Sequence, residues 1–170
     1  MSLDEACAAG DGLDRCLLGT WRLDIDASFE SLRATALAAG ADTFELTGTV
    51  EVTFGDRLLD ARLDYQAVTT DLLPEPLGLL RNEVTARGTS SAAYTADGLT
   101  LTVIDPVEDI QIDYVATADG RPLGAGPGPS SSSVADLFLV QSSYACPSAD
   151  RLVITPRVPG AATSSFERVG

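Results

Sequence analysis

The chain has 170 residues, 45% of them hydrophobic, which is one domain's worth of protein with enough apolar side chain to bury a core. Its 25 Asp and Glu stand against 11 basic residues, every one of them Arg, for a formal net charge of −14, so the surface repels nucleic acid and anionic lipid and no nucleic-acid partner is expected. The absence of His removes His general bases, Ser-His-Asp triads and His metal ligands, and no run approaches the roughly 18 apolar residues that span a bilayer.

In chain order, residues 1–15 are polar and rich in Gly and Ala and predict a flexible N-terminal segment, leaving 16–170 as a single domain. Met1-Ser2-Leu3 runs straight into acidic, small-residue sequence, with neither a basic n-region nor an apolar h-region. The expectation is a leader removed and replaced by a short start. Arg to the exclusion of Lys, with abundant Ala and Gly, points to a GC-rich bacterial genome. Residues 17–25 predict the first strand, with Trp21, Leu23 and Ile25 on one face. The rhythm then changes. Phe29, Leu32, Ala36 and Leu37 have helical spacing, Asp26 or Ser28 is placed to cap, and Gly40 supplies a stop, which predicts one short helix over 28–39.

Strands dominate from there. Residues 43–54 alternate with Phe44, Leu46, Val50, Val52 and Phe54 on one side, and after the Gly55-Asp56 turn residues 58–70 alternate with Leu59, Ala61, Leu63, Tyr65 and Ala67 inward. Residues 71–80 contain Pro74 and Pro76 and five leucines, and read as an apolar connecting loop. Residues 82–94 place Val84, Ala86, Gly88, Ser90, Ala92 and Tyr94 on one face, small side chains that leave room. Strands 99–105, ended by Pro106, and 109–117, carrying Ile110, Ile112 and Tyr114, follow. The Gly, Pro and Ser of 121–133 read as a flexible excursion. Strands 134–144, 152–156 and 164–169 complete the chain, the last containing Phe166 and Arg168.

Three cysteines, Cys7, Cys16 and Cys146, have no C-x-x-C spacing. Cys16 and Cys146 both flank predicted strands, which favours a bridge between them; Cys7 is then left over, or takes the place of Cys16, and three reduced thiols are the remaining alternative. Closing so long a loop would stabilise the fold by about 4 to 5 kcal/mol on the chain-entropy account, and a bridge implies an oxidising compartment. Nine strands joined mostly by short turns, with one helix after the first, predict an all-β, antiparallel up-and-down β-barrel, because closure removes exposed edges. An open two-sheet sandwich presents the same alternating faces.

Gly19-Thr20-Trp21 after an apolar pair resembles the G-x-W signature opening the first strand of lipocalins and related calycin barrels, and Arg168 on the last strand matches the Arg that stacks on that Trp. The segment from Tyr144 through Cys146 and Asp150 to Leu152 looks like the late hairpin of secreted, actinobacterial-type lipocalin-like domains, in which a Cys before the G-x-W strand, here Cys16, is a plausible partner for the Cys146 position. The resemblance covers about residues 16–169. It implies a lipocalin-like barrel that is secreted or held in the cell envelope, with Gly19, Trp21, Arg168, Cys16 and Cys146 in structural roles.

A barrel of this size encloses one small ligand. The expected function is therefore non-enzymatic, extracytoplasmic binding of a small apolar or amphipathic molecule. The expected lining is Phe44, Leu46, Val52, Phe54, Leu63, Tyr65, Val84, Tyr94, Ile112 and Tyr114, with the tyrosines supplying hydroxyls. The alternative is a structural or protein-interaction barrel with a filled core, meeting an envelope or protein partner through its acidic exterior or the apolar loop at 72–80. No catalytic residue is expected. The pairs Asp24 with Asp26 and Asp60 with Asp64, and the acids between Asp105 and Asp113, read as solvated faces, and Ser130–Ser133 has no base to activate it. No cofactor or metal is expected: Glu108-Asp109 with Asp113, or Asp56 with Asp60, lacks EF-hand spacing. The expected state is a monomer or weak dimer.

Overall fold

The computed structural model describes residues 14–127, 141–159 and 163–170. Cys7, the first 13 residues, Ser130–Ser133 and the 134–140 part of the expected seventh strand lie outside the described residues, as do the side chains of Phe29 and Leu32 on the helix. The elements run β1 (Gly19–Leu23), α1 (Ile25–Ala38), β2 (Thr43–Phe54), β3 (Leu58–Leu72), β4 (Leu79–Ala96), β5 (Thr100–Ala118), β6 (Arg121–Pro127), β7 (Gln141–Ser148), β8 (Arg151–Pro156) and β9 (Ser164–Arg168).

Every pairing is antiparallel, and β1-β2-β3-β4-β5-β7-β8-β9 close into a ring of eight strands when β9 returns to β1. The fold is thus all-β and barrel-like, with β6 added along the far end of β5, where Ala118 pairs with Arg121 and Asp113 with Pro127. The expected flexible excursion is corrected over 121–127. The small residues there make an exposed edge strand, paired through the Asp119-Gly120 turn, where Asp119 and Gly120 both have positive φ.

Three other expectations shift. The first strand spans only Gly19–Leu23, and Ile25 opens the helix rather than ending the strand. The helix cap is Asp24, not Asp26 or Ser28: its Oδ1 accepts the Ala27 N–H at 2.9 Å. Ser28 instead docks α1 on the last strand, its hydroxyl accepting the Ser165 N–H at 2.9 Å and donating to the Ser165 carbonyl at 3.3 Å. Gly40 does end the helix, with Gly40 N–H on Leu37 O and Ala41 N–H on Ala36 O. Finally, Pro106 does not end a strand. The expected strands 99–105 and 109–117 are one strand, β5, with Asp105-Pro106 as a bulge opposite Ala92, between the pairs Ala93–Ile104 and Ser91–Val107. The extra residue lets Val103 and Ile110 face the same side despite their odd separation.

Strand length divides the described residues. Within them β7, β8, β9 and β1 have 8, 6, 5 and 5 residues, whereas β2 to β5 have 12, 15, 18 and 19. Among the described residues the ring closes over the short strands; beyond it the four long strands continue as a sheet, with α1 packed against β2. Inside the ring Leu17, Trp21, Val52, Phe54, Leu59, Leu63, Leu101, Leu152, Ile154 and Phe166 are all at most 2% exposed and form one cluster. Phe54 and Tyr94 meet edge to face with centroids 5.3 Å apart.

Two glycines bend the long strands where the ring gives way to the projecting sheet. Gly48 has φ of 110° and a Cβ there would lie 2.2 Å from the Asp64 carbonyl; Gly88 has φ of 144° and a Cβ there would lie 2.1 Å from the Asp109 carbonyl. Neither obstacle is a side chain that can swing away. Gly48→Ala and Gly88→Ala are each expected to lower stability by about 2 to 4 kcal/mol, while Gly124→Ala, with nothing within 4 Å, stays near neutral. Urea unfolding of the three variants checks this.

Candidate functional site

The closed end of the barrel is organised by Arg168. Trp21 and Arg168 are partners in the β1–β9 register, and the guanidinium carbon sits 4.2 Å from the indole centroid. The same guanidinium donates from Nη1 to the Leu18 carbonyl at 2.7 Å, from Nη2 to the Cys16 carbonyl at 3.2 Å and from Nε to the Ala149 carbonyl at 2.7 Å. A Cβ on Gly19 would lie 2.7 Å from Arg168 Nη1, so the glycine vacates the space that the guanidinium takes, and its φ of 118° suits no other residue. The indole Nε1 donates to the Leu17 carbonyl at 2.7 Å.

Residues 14–18 lie across this end. The Cys16–Cys146 disulfide joins them to β7 with Cα atoms 6.3 Å apart across 130 residues of sequence. Asp14, 7% exposed, accepts the Tyr144 hydroxyl through Oδ2 at 2.5 Å and the Cys16 N–H through Oδ1 at 3.1 Å, and the Tyr144 oxygen in turn accepts the Gly98 N–H at 2.8 Å. Burial, then the hydrogen bond to the Asp14 carboxylate and its charge, push the Tyr144 phenol far above its ordinary value. Burial raises Tyr94 as well, helped by the charges of Asp56 and Asp14. Asp14 is a structural anchor that sequence reasoning missed, because it sits in the stretch expected to be loose. Its position two residues before Cys16 was the one available signal.

The expected lining divides between two environments. Val52, Phe54, Leu63 and Tyr94 are packed in the filled ring, and the Tyr94 hydroxyl is committed to the Gly55 carbonyl at 2.6 Å. Phe44, Leu46, Tyr65, Val84, Ile112 and Tyr114 lie on the same face of the projecting sheet and are half-buried. The register sets them in three rungs: Gly48–Tyr65–Ala86–Ile112, then Leu46–Ala67–Val84–Tyr114, then Phe44–Thr69–Asn82–Ala116. Tyr65 and Ile110 pack against the ring cluster and form the floor of this face. Tyr114 donates its hydroxyl to Asn82 Oδ1 at 2.6 Å, setting a polar pair into these rungs. Asn82, Ala67 and Ala116 were not among the expected lining, although alternation already turns Ala67 inward; the hairpin register sets all three beside it.

Two recesses lie away from this face. One of about 490 Å³ lies on the outer face beside Glu51, Asp60, Arg62, Thr89 and Asp109, and one of about 330 Å³ lies near Asp24, Asp150, Arg151 and Glu167. Asp60 and Asp64 face outward as expected of solvated positions, and Asp64 pairs with Arg87 at 3.1 Å.

No family model, curated protein or solved structure matches this chain.

Arg168→Met, which keeps the stem and removes the guanidinium, is expected to cost about 3 kcal/mol through the lost stacking and three lost carbonyl partners, while Arg33→Met on the exposed face of α1 costs little; urea unfolding followed by Trp21 fluorescence measures both. A second expectation concerns alkaline pH. A phenol whose folded pKa lies above its unfolded value contributes stability that is complete below the unfolded value, near 10, and is lost as pH rises above it toward the folded value. The thermal midpoint should therefore fall with pH above about 10, and Tyr144→Phe should flatten that fall.

Proposed function

We propose that this chain binds one small apolar or amphipathic molecule on the inner face of the projecting β2–β5 sheet, above the filled ring, outside the cytoplasm. The observation that carries the reading is the half-buried state of Leu46, Val84, Ile112 and Tyr114 on the side of the sheet that continues the core beyond the ring. An apolar face with the Tyr114–Asn82 pair set into it has the composition of a small-molecule site, where a few polar groups fix orientation. The rungs carry no charged side chain, which favours a neutral ligand in a chain otherwise so acidic. The extracytoplasmic assignment draws on the Cys16–Cys146 bridge, which reducing compartments do not sustain. Among the described residues no helix is long and apolar enough to cross a membrane.

The close packing of Val52, Phe54, Leu63 and Tyr94 favours a second reading for the ring itself, as a filled scaffold that holds this face in place. Native mass spectrometry of the purified protein should show a bound small molecule, and the neutral dye Nile red should brighten on binding. Leu46→Asn and Ile112→Asn should each weaken dye binding by about tenfold, and Leu58→Asn, on an exposed outer position, should leave it unchanged. Equal binding by all three variants overturns the assignment.

A further inference from the structure

The turn between β3 and β4 displays leucines. Leu72, Leu77 and Leu79 are 74%, 52% and 47% exposed, and Leu72 and Leu79 are cross-strand partners whose side chains share a face. A single exposed leucine is ordinary; three within one hairpin end form a patch.

The backbone beneath them is held. Leu73 N–H donates to the Gly78 carbonyl at 2.9 Å and Leu77 N–H to the Pro74 carbonyl at 3.1 Å. Leu72 N–H donates to Asp42 Oδ2 at 2.6 Å. Asp119, in the β5–β6 turn, accepts the Leu79 N–H through Oδ1 at 2.8 Å and returns its own N–H to the Leu79 carbonyl at 2.9 Å. Its carboxylate fills the place where a Gly78 Cβ would stand, 2.1 Å from Oδ2. Two hairpins are clasped together, and the leucines project from a frame that does not let them fold down. A patch presented this way has its ordering cost already met before any partner arrives.

The surroundings carry acid. Asp42, Asp71, Glu75 and Asp119 lie on or beside this end, and the nearby Arg81 is engaged by Glu83 at 3.3 Å; Arg121 is the other cation flanking the turn. We propose that the tip formed by Leu72, Leu77 and Leu79 docks a protein partner that presents apolar side chains within a rim of Lys and Arg. A bilayer would have to strip water from the carboxylates around the patch, and a second copy of this chain would bring like charges together. A basic-rimmed partner avoids both costs. This surface stands apart from the inner face of the sheet, so it holds or falls independently of the ligand reading.

The test uses the whole chain and a fluorescein-labelled amphipathic helical peptide of Leu and Lys, with a matched peptide carrying Ser for every Leu. The triple variant Leu72→Ser, Leu77→Ser, Leu79→Ser should bind the Leu/Lys peptide about tenfold or more weakly by anisotropy, bind the Ser/Lys peptide as the parent does, and unfold in urea at the parent's midpoint. Glu75→Lys should also weaken the Leu/Lys peptide. Three results overturn the proposal. The first is equal peptide affinity in parent and triple variant. The second is flotation with phosphatidylcholine vesicles that depends on the leucines while peptide binding does not. The third is self-association by sedimentation that the triple variant abolishes.

Discussion

Arg168 holds its guanidinium 4.2 Å from the Trp21 ring while bonding the carbonyls of Cys16, Leu18 and Ala149, and so joins three stretches of chain far apart in sequence. The demands of the two contacts are compatible only in a planar, delocalised cation. The face lies on the indole, and the edge, with its fixed fork of donors, meets the carbonyls. A Lys ammonium has neither the plane nor the fork. The position also explains why no side chain can stand at Gly19 and why β1 and β9, five residues each, suffice to close the ring. Three other devices act at the same end: the Cys16–Cys146 bridge, the Tyr144–Asp14 hydrogen bond and the Ser28–Ser165 exchange that docks the helix.

Concentrating these ties at one end leaves the other free to differ. Among the described residues the β5–β7 contact that completes the ring has the pairs Thr100–Ser143, Leu101–Ser142 and Thr102–Gln141, whereas β4 and β5 pair along nearly their whole lengths. The long strands hold each other by their ladders, and need no ring beyond the floor set by Tyr65 and Ile110. Gly48 and Gly88 stand on the strands at that same level, where the curvature of the closed part must relax into the twist of an open sheet.

Much of this was readable from the residues, and the failures have physical reasons. Strict alternation placed β2 to the residue and β3 within two, because each has one dry face and one wet face. The stacked Trp21 and Arg168 and the Cys16–Cys146 bridge were expected from motifs at the two ends. Pro106 was read as a strand end because proline cannot donate to a ladder, but a bulge needs no donor there. Residues 121–127 were read as slack because their Gly and Pro give no alternation, yet an edge strand buries neither face and needs none. The division of the lining between a filled ring and a half-buried sheet was beyond pattern alone. It follows from how far each strand outlasts its neighbours, and alternation gives facing without depth.

The alternation itself carries the last step. Past the ring, the outer positions of the long strands hold Glu45, Thr47, Asp64, Gln66, Glu83, Thr85 and Asp113 beside the apolar Val68 and Val115, while the inner positions hold no charge in three successive rungs. A sheet wetted on both faces gains nothing from that partition, since charged and hydroxylated side chains solvate either side equally well and resist edge pairing. In a chain where 21% of residues are charged, keeping one face clear of charge past the end of the packed ring is a constraint with a cause. On the binding we propose, the cause is contact with a bound apolar molecule: the ring below is already filled, and on the projecting sheet Tyr114 and Asn82 set one hydrogen-bonded polar pair into the uncharged face.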